Sequence, residues 1–389
     1  MRDLPYRGPA REVRFYPERT GVLYFSRGRG RGHAIPDISI VEELNRLRDD
    51  LDILFVSYAT GADTLIEFGQ AVIDLGLPEN NLVWDTTVLA GRLISALRPA
   101  LVVAHEEFAA LVATSTLGIP AILITHWFLE PETFVMQALR HADDIIFIDR
   151  AGRFEEPPTA AGKVHYVGPV VRDFDYDRSD RDRCRIELGM SVDETLITVL
   201  PGSWTEAMAP IFDLVLEAIR LLRIPKVKLI WVAGEDYQAL SSQTESLEWV
   251  SVIEKEWQID RLMVASDIVI TKANRNTVVE LEHLGIPSIS LTYRLNPMDD
   301  QSIAGIRTNT PLEAAALRPE QLAERLRMVM DGDLDGDIAL SDEGANAGGR
   351  RSAAAAAADI IHRRLQHTLD STSEGREVGP EQSLTSSLS

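Results

Sequence analysis

The sequence predicts an α/β protein made of two doubly wound parallel-sheet domains in tandem. Three observations carry this. Short continuous apolar runs, many of them β-branched, alternate with helical patterns along most of the chain, as strands buried on both faces require. The alternation occurs once in each half, which is how βα units build a parallel sheet. Between the halves lies 167–182, opening VGPVVRDFDYDRSD, where Gly, Pro and a dense charge run read as a linker.

In the first half the runs at 22–26, 53–57, 101–104, 121–125 and 145–149 predict strands. After the first of them Ile35, Ile38, Val41, Leu44 and Leu47 fall on one helical stripe, the pattern of a helix with one buried face. In the second half strands are expected at 195–200, 227–233, 267–271 and 288–291, and helices at 211–222, 278–284 and 321–330. The alanine run in RRSAAAAAADIIHRRLQ predicts a long helix. The expected organisation is therefore a first domain over 1–167, a second over 168–345, a helix over 346–366 returning to the first domain, and a disordered tail over 367–389.

A length of 389 residues with 45% hydrophobic side chains suffices for two such cores. The formal net charge of −21 repels polyanions as a whole and sets nucleic-acid binding aside. The single cysteine, Cys184, forms no intramolecular disulfide, in keeping with a reducing compartment. The N-terminus has no apolar core of signal-peptide type, and no apolar run reaches the roughly 20 residues of a membrane span. A cytoplasmic protein with at most peripheral membrane contact is expected.

Ligands of open α/β sheets bind beyond the carboxyl ends of the strands, here in a cleft expected between the domains. The first such loop is SRGRGRGH, where Gly28, Gly30 and Gly32 permit tight turning and the helix start behind them favours anions. His33 at its end is a candidate base or phosphate donor; an ordinary glycine-rich turn with a solvated histidine explains the same residues. In LPGSWTEA, Gly202, Ser203 and Trp204 offer amides to a diphosphate, while Ser203 with Glu206 also reads as a capping box. In TKANRNTVVELEHLGIP, Asn276 and Glu280 share a helix face, and a carboxylate near a helix start can accept two ribose hydroxyls. The alternative there is a capping box of Thr277 and Glu280. Asp299, Asp300 and Gln301 in NPMDDQ suit sugar hydroxyls or an N-cap. Glu106 and Glu107 in AHEEF, and His126 and Trp127 in THWF, supply acid/base groups and an aromatic platform, or else caps and packing. The stretch 331–342, DGDLDGDIALSD, has the spacing of a calcium loop, but no second helix pattern follows it and a solvated acidic turn is the simpler reading.

Taken together these loops resemble the GT-B glycosyltransferases of family 28, the group containing the N-acetylglucosaminyltransferase of lipid II synthesis. The resemblance runs from about Gly21 to Leu365. GRGRGH stands where the family has its glycine-rich loop and puts His33 on the family histidine. GPVVR puts Arg172 on the nucleotide-contacting arginine, and Pro201 to Trp204 partly match the diphosphate loop. TKANRNTVVELEHLGIPSISL is the closest match and puts Glu280 on the ribose-binding glutamate. Asp300 and Gln301 fall where the donor sugar is held, and Trp257 lies near the uracil.

The resemblance implies a GT-B fold and transfer of a hexose or N-acetylhexosamine from a UDP-sugar to a small-molecule, glycan or lipid-linked acceptor. Transfer is expected to be inverting, with no metal and no cofactor. His33, Glu106 or Glu107 is expected to take the acceptor proton. Two rivals stay open: a nucleotide-sugar hydrolase or epimerase on the same fold, and a non-catalytic binding protein, which Trp204, Asn274 and Arg275 favour because they replace small family residues.

Overall fold

The structure is a computed structural model and describes residues 6–7, 13–80, 83–201, 209–256, 258–292, 303, 306, 308–332 and 352–377. The chain divides into two compact units, Met1–Val170 with Ser352–Ser389, and Val171–Arg351.

In the first unit the described strands are β1 (Tyr6–Arg7), β2 (Thr20–Ser26), β3 (Leu51–Ser57), β4 (Val72–Asp74), β5 (Leu101–His105), β6 (Ala121–Thr125), β7 (Asp144–Phe147) and β8 (Val164–Tyr166). Their order across the sheet is β1-β4-β3-β2-β5-β6-β7-β8. Every pairing is parallel except that of β1 with β4. The chain winds outward from β2 through β3 to β4, then returns to continue from β5 on the other side. The order thus reverses between β2 and β5, the place where a doubly wound sheet leaves a crevice at its carboxyl edge. The central strands are buried throughout, with the Tyr24 and Phe55 rings 4.9 Å apart.

The helix Ala34–Leu47 follows β2 and buries Ala34, Ile38, Val41 and Leu44 in the same core as Ala354, Ala357, Ala358, Ile361 and Leu365 of the C-terminal helix Ala353–Glu377. The alanine run thus supplies a small-residue face that lets the two helices approach closely. That helix corrects the expected tail at 367, since it continues to Glu377. The Thr368 and Ser371 hydroxyls each donate to the carbonyl one turn earlier, of Arg364 and His367, so polar residues that suggest disorder by composition are accommodated in the helix.

In the second unit the described strands are β9 (Thr195–Leu200), β10 (Val227–Val232), β11 (Val250–Ile253), β12 (Ile268–Lys272), β13 (Ser288–Thr292) and β14 (Asn309–Glu313). They form a parallel sheet in the order β11-β10-β9-β12-β13-β14, reversing between β9 and β12. The Phe212 and Trp231 rings meet edge to face at 4.8 Å in its core.

The charged stretch after Val170 is not a loose linker. The Asp175 amide donates to Asp260 at 2.8 Å, and Arg178 donates to the carbonyls of Val264 and Ser266. Arg185, fully buried, donates to the carbonyls of Ala265 and Val192 and to Asp267. The Arg178 and Arg185 guanidiniums thus have partners on this unit, which is why a polar run folds here. Among the described residues no helix is long and apolar enough to cross a membrane.

Candidate active site

His33, Glu106 and His126 come from the loops after β2, β5 and β6, which are adjacent in the sheet. Strand register brings them together: Ser26 pairs with His105, and His105 with Ile124. Glu106 Oε2 lies 2.8 Å from His33 Nε2, and Glu106 Oε1 lies 2.9 Å from His126 Nδ1. Arg27 Nη1 stands 3.6 Å from the same carboxylate. Glu106 adopts a left-handed backbone with φ of +54°, a conformation that costs a non-glycine residue energy and persists where function or packing fixes it. Here it aims the carboxylate between two imidazoles.

The charges follow from burial and partners. Burial opposes ionisation of Glu106, but His126 and His33 outweigh it and hold the carboxyl well below its usual range. Burial lowers His33, with Glu106 pulling the other way. The dyad therefore contains an ionised carboxylate against a largely neutral imidazole. A carboxylate on Nε2 fixes the tautomer and leaves Nδ1 as the basic nitrogen. His33 Nδ1 is buried and has no hydrogen-bond partner among the described residues.

Glu107 turns away from this pair. Tyr58 donates to it at 2.8 Å, and burial pushes its carboxyl up to about 7. Trp127 is no open platform; it is buried with its ring 5.4 Å from that of Phe108.

Behind His33 lies a second group that the sequence reading missed. Tyr24 donates to Asp37 Oδ1 at 2.8 Å, and His105 Nδ1 is 2.7 Å from the same oxygen. Burial disfavours the charge on His105, yet Asp37 more than offsets it and raises the imidazole above its ordinary value. The His33 and His105 rings stand edge to face, 4.7 Å between centroids. The one available signal was Asp37 itself, a carboxylate amid the apolar stripe of its helix.

The glycines of the first loop have different tasks from those expected. Gly28 packs under the next helix start: an added Cβ would lie 2.2 Å from the Tyr58 carbonyl oxygen. Gly28→Ala is therefore expected to destabilise the protein by about 1–3 kcal/mol through overpacking, read as a lower denaturation midpoint; an unchanged midpoint would mean that the loop relaxes freely. Gly30 has φ of +65°, and its amide donates to Glu79 Oε1 at 3.2 Å. The anion seated at Gly30 is thus the protein's own carboxylate, held also by the Thr60 hydroxyl at 2.5 Å. Gly32 lies in the same turn, half-buried.

In the second unit the structure joins Arg172 to Glu280. The Arg172 guanidinium donates to both carboxylate oxygens, at 2.7 and 3.3 Å. Glu280 is buried on the helix Arg275–His283 that follows β12. The capping box of Thr277 and Glu280 is absent. Asn274 is the N-cap, Thr277 lies inside the helix, and Glu280 faces Arg172 instead. Asn276 and Thr277 are half-buried in the first turn. Gly202, Ser203, Trp204, Trp257, Asp299, Asp300 and Gln301, and the acidic stretch from 333 to 342, lie outside the described residues.

A family model described as "Lipid-A-disaccharide synthetase" matches residues 159–306. The UDP-N-acetylglucosamine–N-acetylmuramyl-(pentapeptide) pyrophosphoryl-undecaprenol N-acetylglucosamine transferase of Carboxydothermus hydrogenoformans is 23% identical over 294 residues, covering 70% of this chain and 77% of the relative. Among solved structures, the glycotransferase of kitacinnamycin superposes with a TM-score of 0.65 at 18% identity, covering 90% of this chain and all of that one. MurG of Acinetobacter baumannii superposes with a TM-score of 0.57 at 16% identity, covering 91% and 99%. At these identities the superpositions speak for the fold, while the relative speaks for the sequence. The chain has the GT-B fold, and its resemblance to the N-acetylglucosaminyltransferase group of family 28 is one of sequence.

Proposed function

We propose that the protein is a glycosyltransferase that moves a hexose or N-acetylhexosamine from a UDP-sugar to an acceptor hydroxyl, with inversion at the anomeric carbon. The observation that carries this reading is the His33–Glu106 pair at the switch point of the first sheet. It is a general-base dyad of the right chemistry, with the imidazole oriented by a buried carboxylate. The transferase named among the relatives uses a UDP-linked amino sugar, which supports the donor class.

In the proposed step the acceptor hydroxyl oxygen forms a bond to the anomeric carbon as the bond to the diphosphate breaks. The hydroxyl proton passes to His33 Nδ1, and UDP leaves with the electron pair. Glu106 stabilises the imidazolium that results. The developing charge on UDP falls to the amides and helix starts of the second unit, so no metal is needed there. Arg172 and Glu280 hold the nucleoside, and His126, paired with Glu106, lies near the acceptor. The acceptor is a small molecule, a glycan or a lipid-linked glycan; the acceptor of the named relative is lipid-linked. Contact with a membrane is then peripheral, at a cytoplasmic face.

Calorimetric titration of chelator-treated protein with UDP, dTDP and GDP tests the donor class. Binding of UDP in clear preference to the other two is expected. If none binds, the chain keeps the fold without the donor site, and a non-catalytic role takes precedence.

A further inference from the structure

We propose that His33, His105 and Glu106 form a binding site for one divalent transition-metal ion of the zinc class. Each residue offers a ligand atom, and the three atoms lie within 4.8 Å of one another. His105 Nε2 is buried without a hydrogen-bond partner among the described residues, and His33 Nε2 and Glu106 Oε2, 2.8 Å apart, are the ligand atoms of the other two residues. Buried polar nitrogens are almost always paired, so an orphan beside that pair points to a missing partner. In the neutral ring His105 Nε2 carries a lone pair, which suits a cation.

The support behind the ligands fits the same conclusion. Ligating histidines are oriented by a carboxylate on the opposite ring nitrogen. His105 has that arrangement: Asp37 holds Nδ1 at 2.7 Å and is itself fixed by Tyr24 at 2.8 Å. This leaves Nε2 as the ligating atom. Glu106 is held from its other side by His126. The local charge suits a cation too: Glu106 and Asp37 set two carboxylates beside the imidazoles, against the Arg27 guanidinium 3.6 Å from Glu106. Two imidazoles and one carboxylate form a donor set typical of zinc with an open position. Imidazole nitrogen selects zinc, cobalt or nickel over magnesium, which prefers oxygen.

Occupancy has a consequence for the proposed transfer, and this part rests on that reading. A neutral imidazole has one lone-pair nitrogen. A metal on His33 takes it, and the other nitrogen then carries the proton, so the base is silenced. Metal at one equivalent stops the transfer, and a chelator restores it.

The test uses the full chain freed of metal. Cobalt(II) is titrated in while its visible absorption is followed, then zinc is added, with magnesium as control. One equivalent of cobalt is expected to bind with a low-symmetry visible band, zinc to displace it, and magnesium to give nothing. His105→Gln is expected to abolish the band, and Asp37→Asn to weaken affinity roughly 10- to 100-fold. No cobalt binding to the unmutated protein, or unchanged binding in His105→Gln, overturns the site. Should the His105 variant not fold, His33→Gln, the most exposed of the three ligands, gives the same discrimination. Metal binding without turnover on any UDP-sugar supports the site and sinks the transferase reading instead.

Discussion

Replacing His33 with Ala is expected to lower kcat roughly 100- to 10,000-fold, the usual contribution of a positioned general base, while UDP affinity stays as it is. The expectation follows from one contact. Glu106 Oε2 sits 2.8 Å from His33 Nε2, so the carboxylate fixes the tautomer and Nδ1 carries the lone pair. Glu106→Gln should cost nearly as much. A neutral amide offers weaker support to the imidazolium and admits the wrong tautomer, the fate of an Asp-to-Asn change behind a catalytic histidine. The fold survives both changes, because His126 still pairs with position 106 and the surrounding strands stay packed. Steady-state kinetics with the donor found by titration, beside a thermal midpoint for each variant, reads the effect. A His33→Ala enzyme with full kcat would move the proton-accepting role to Glu107, whose carboxyl burial pushes up to about 7.

The long central strands were legible because a strand buried on both faces is a continuous apolar run. The strands at or next to the sheet edges were not. Asn309–Glu313 contains Pro311 and is partly exposed, and Val72–Asp74 and Val164–Tyr166 are three residues each, too short for any period to emerge. The site divides in the same way. His33 was legible from its loop, since glycines at a strand end followed by a histidine form a local pattern. Its coupling to Glu106 was not, because the two are 73 positions apart and are joined by the β2–β5 register. Asp37 lay in the predicted helix and His105 in the loop expected after the 101–104 run, and their meeting 68 positions apart depends on the winding of the sheet. Glu280 was legible from its place near a helix start after a strand, but Arg172 was reached only through the family resemblance; spacing alone does not bring together residues 108 positions apart.

Glu280→Ala is expected to weaken UDP binding about 10- to 100-fold. A hydrogen bond to a charged group contributes about 1.5–3 kcal/mol, and each 1.4 kcal/mol is about tenfold in affinity. The carboxylate already accepts from Arg172 at 2.7 and 3.3 Å, yet it has roughly four lone-pair sites, so two remain for ribose hydroxyls. The substitution has a structural cost as well. Breaking a buried ion pair typically costs about 3–5 kcal/mol; here it costs less, because the Arg172 side chain is 26% exposed and water screens what is left. A lower thermal midpoint is therefore expected, and affinity alone does not separate recognition from support. Comparing UDP with its 2′-deoxyribose analogue does. If Glu280 holds the ribose, the unmutated protein prefers UDP and Glu280→Ala loses most of that preference. If Glu280 only fixes Arg172, both ligands weaken together and their ratio is unchanged. Arg172→Ala supplies the control: it frees the carboxylate from its ion pair but leaves it able to accept ribose hydroxyls. The preference for UDP over the deoxy analogue should therefore survive even as overall affinity falls. A variant set in which the ribose preference depends on Arg172 and not on Glu280 would reassign recognition to the arginine and leave the carboxylate as its support.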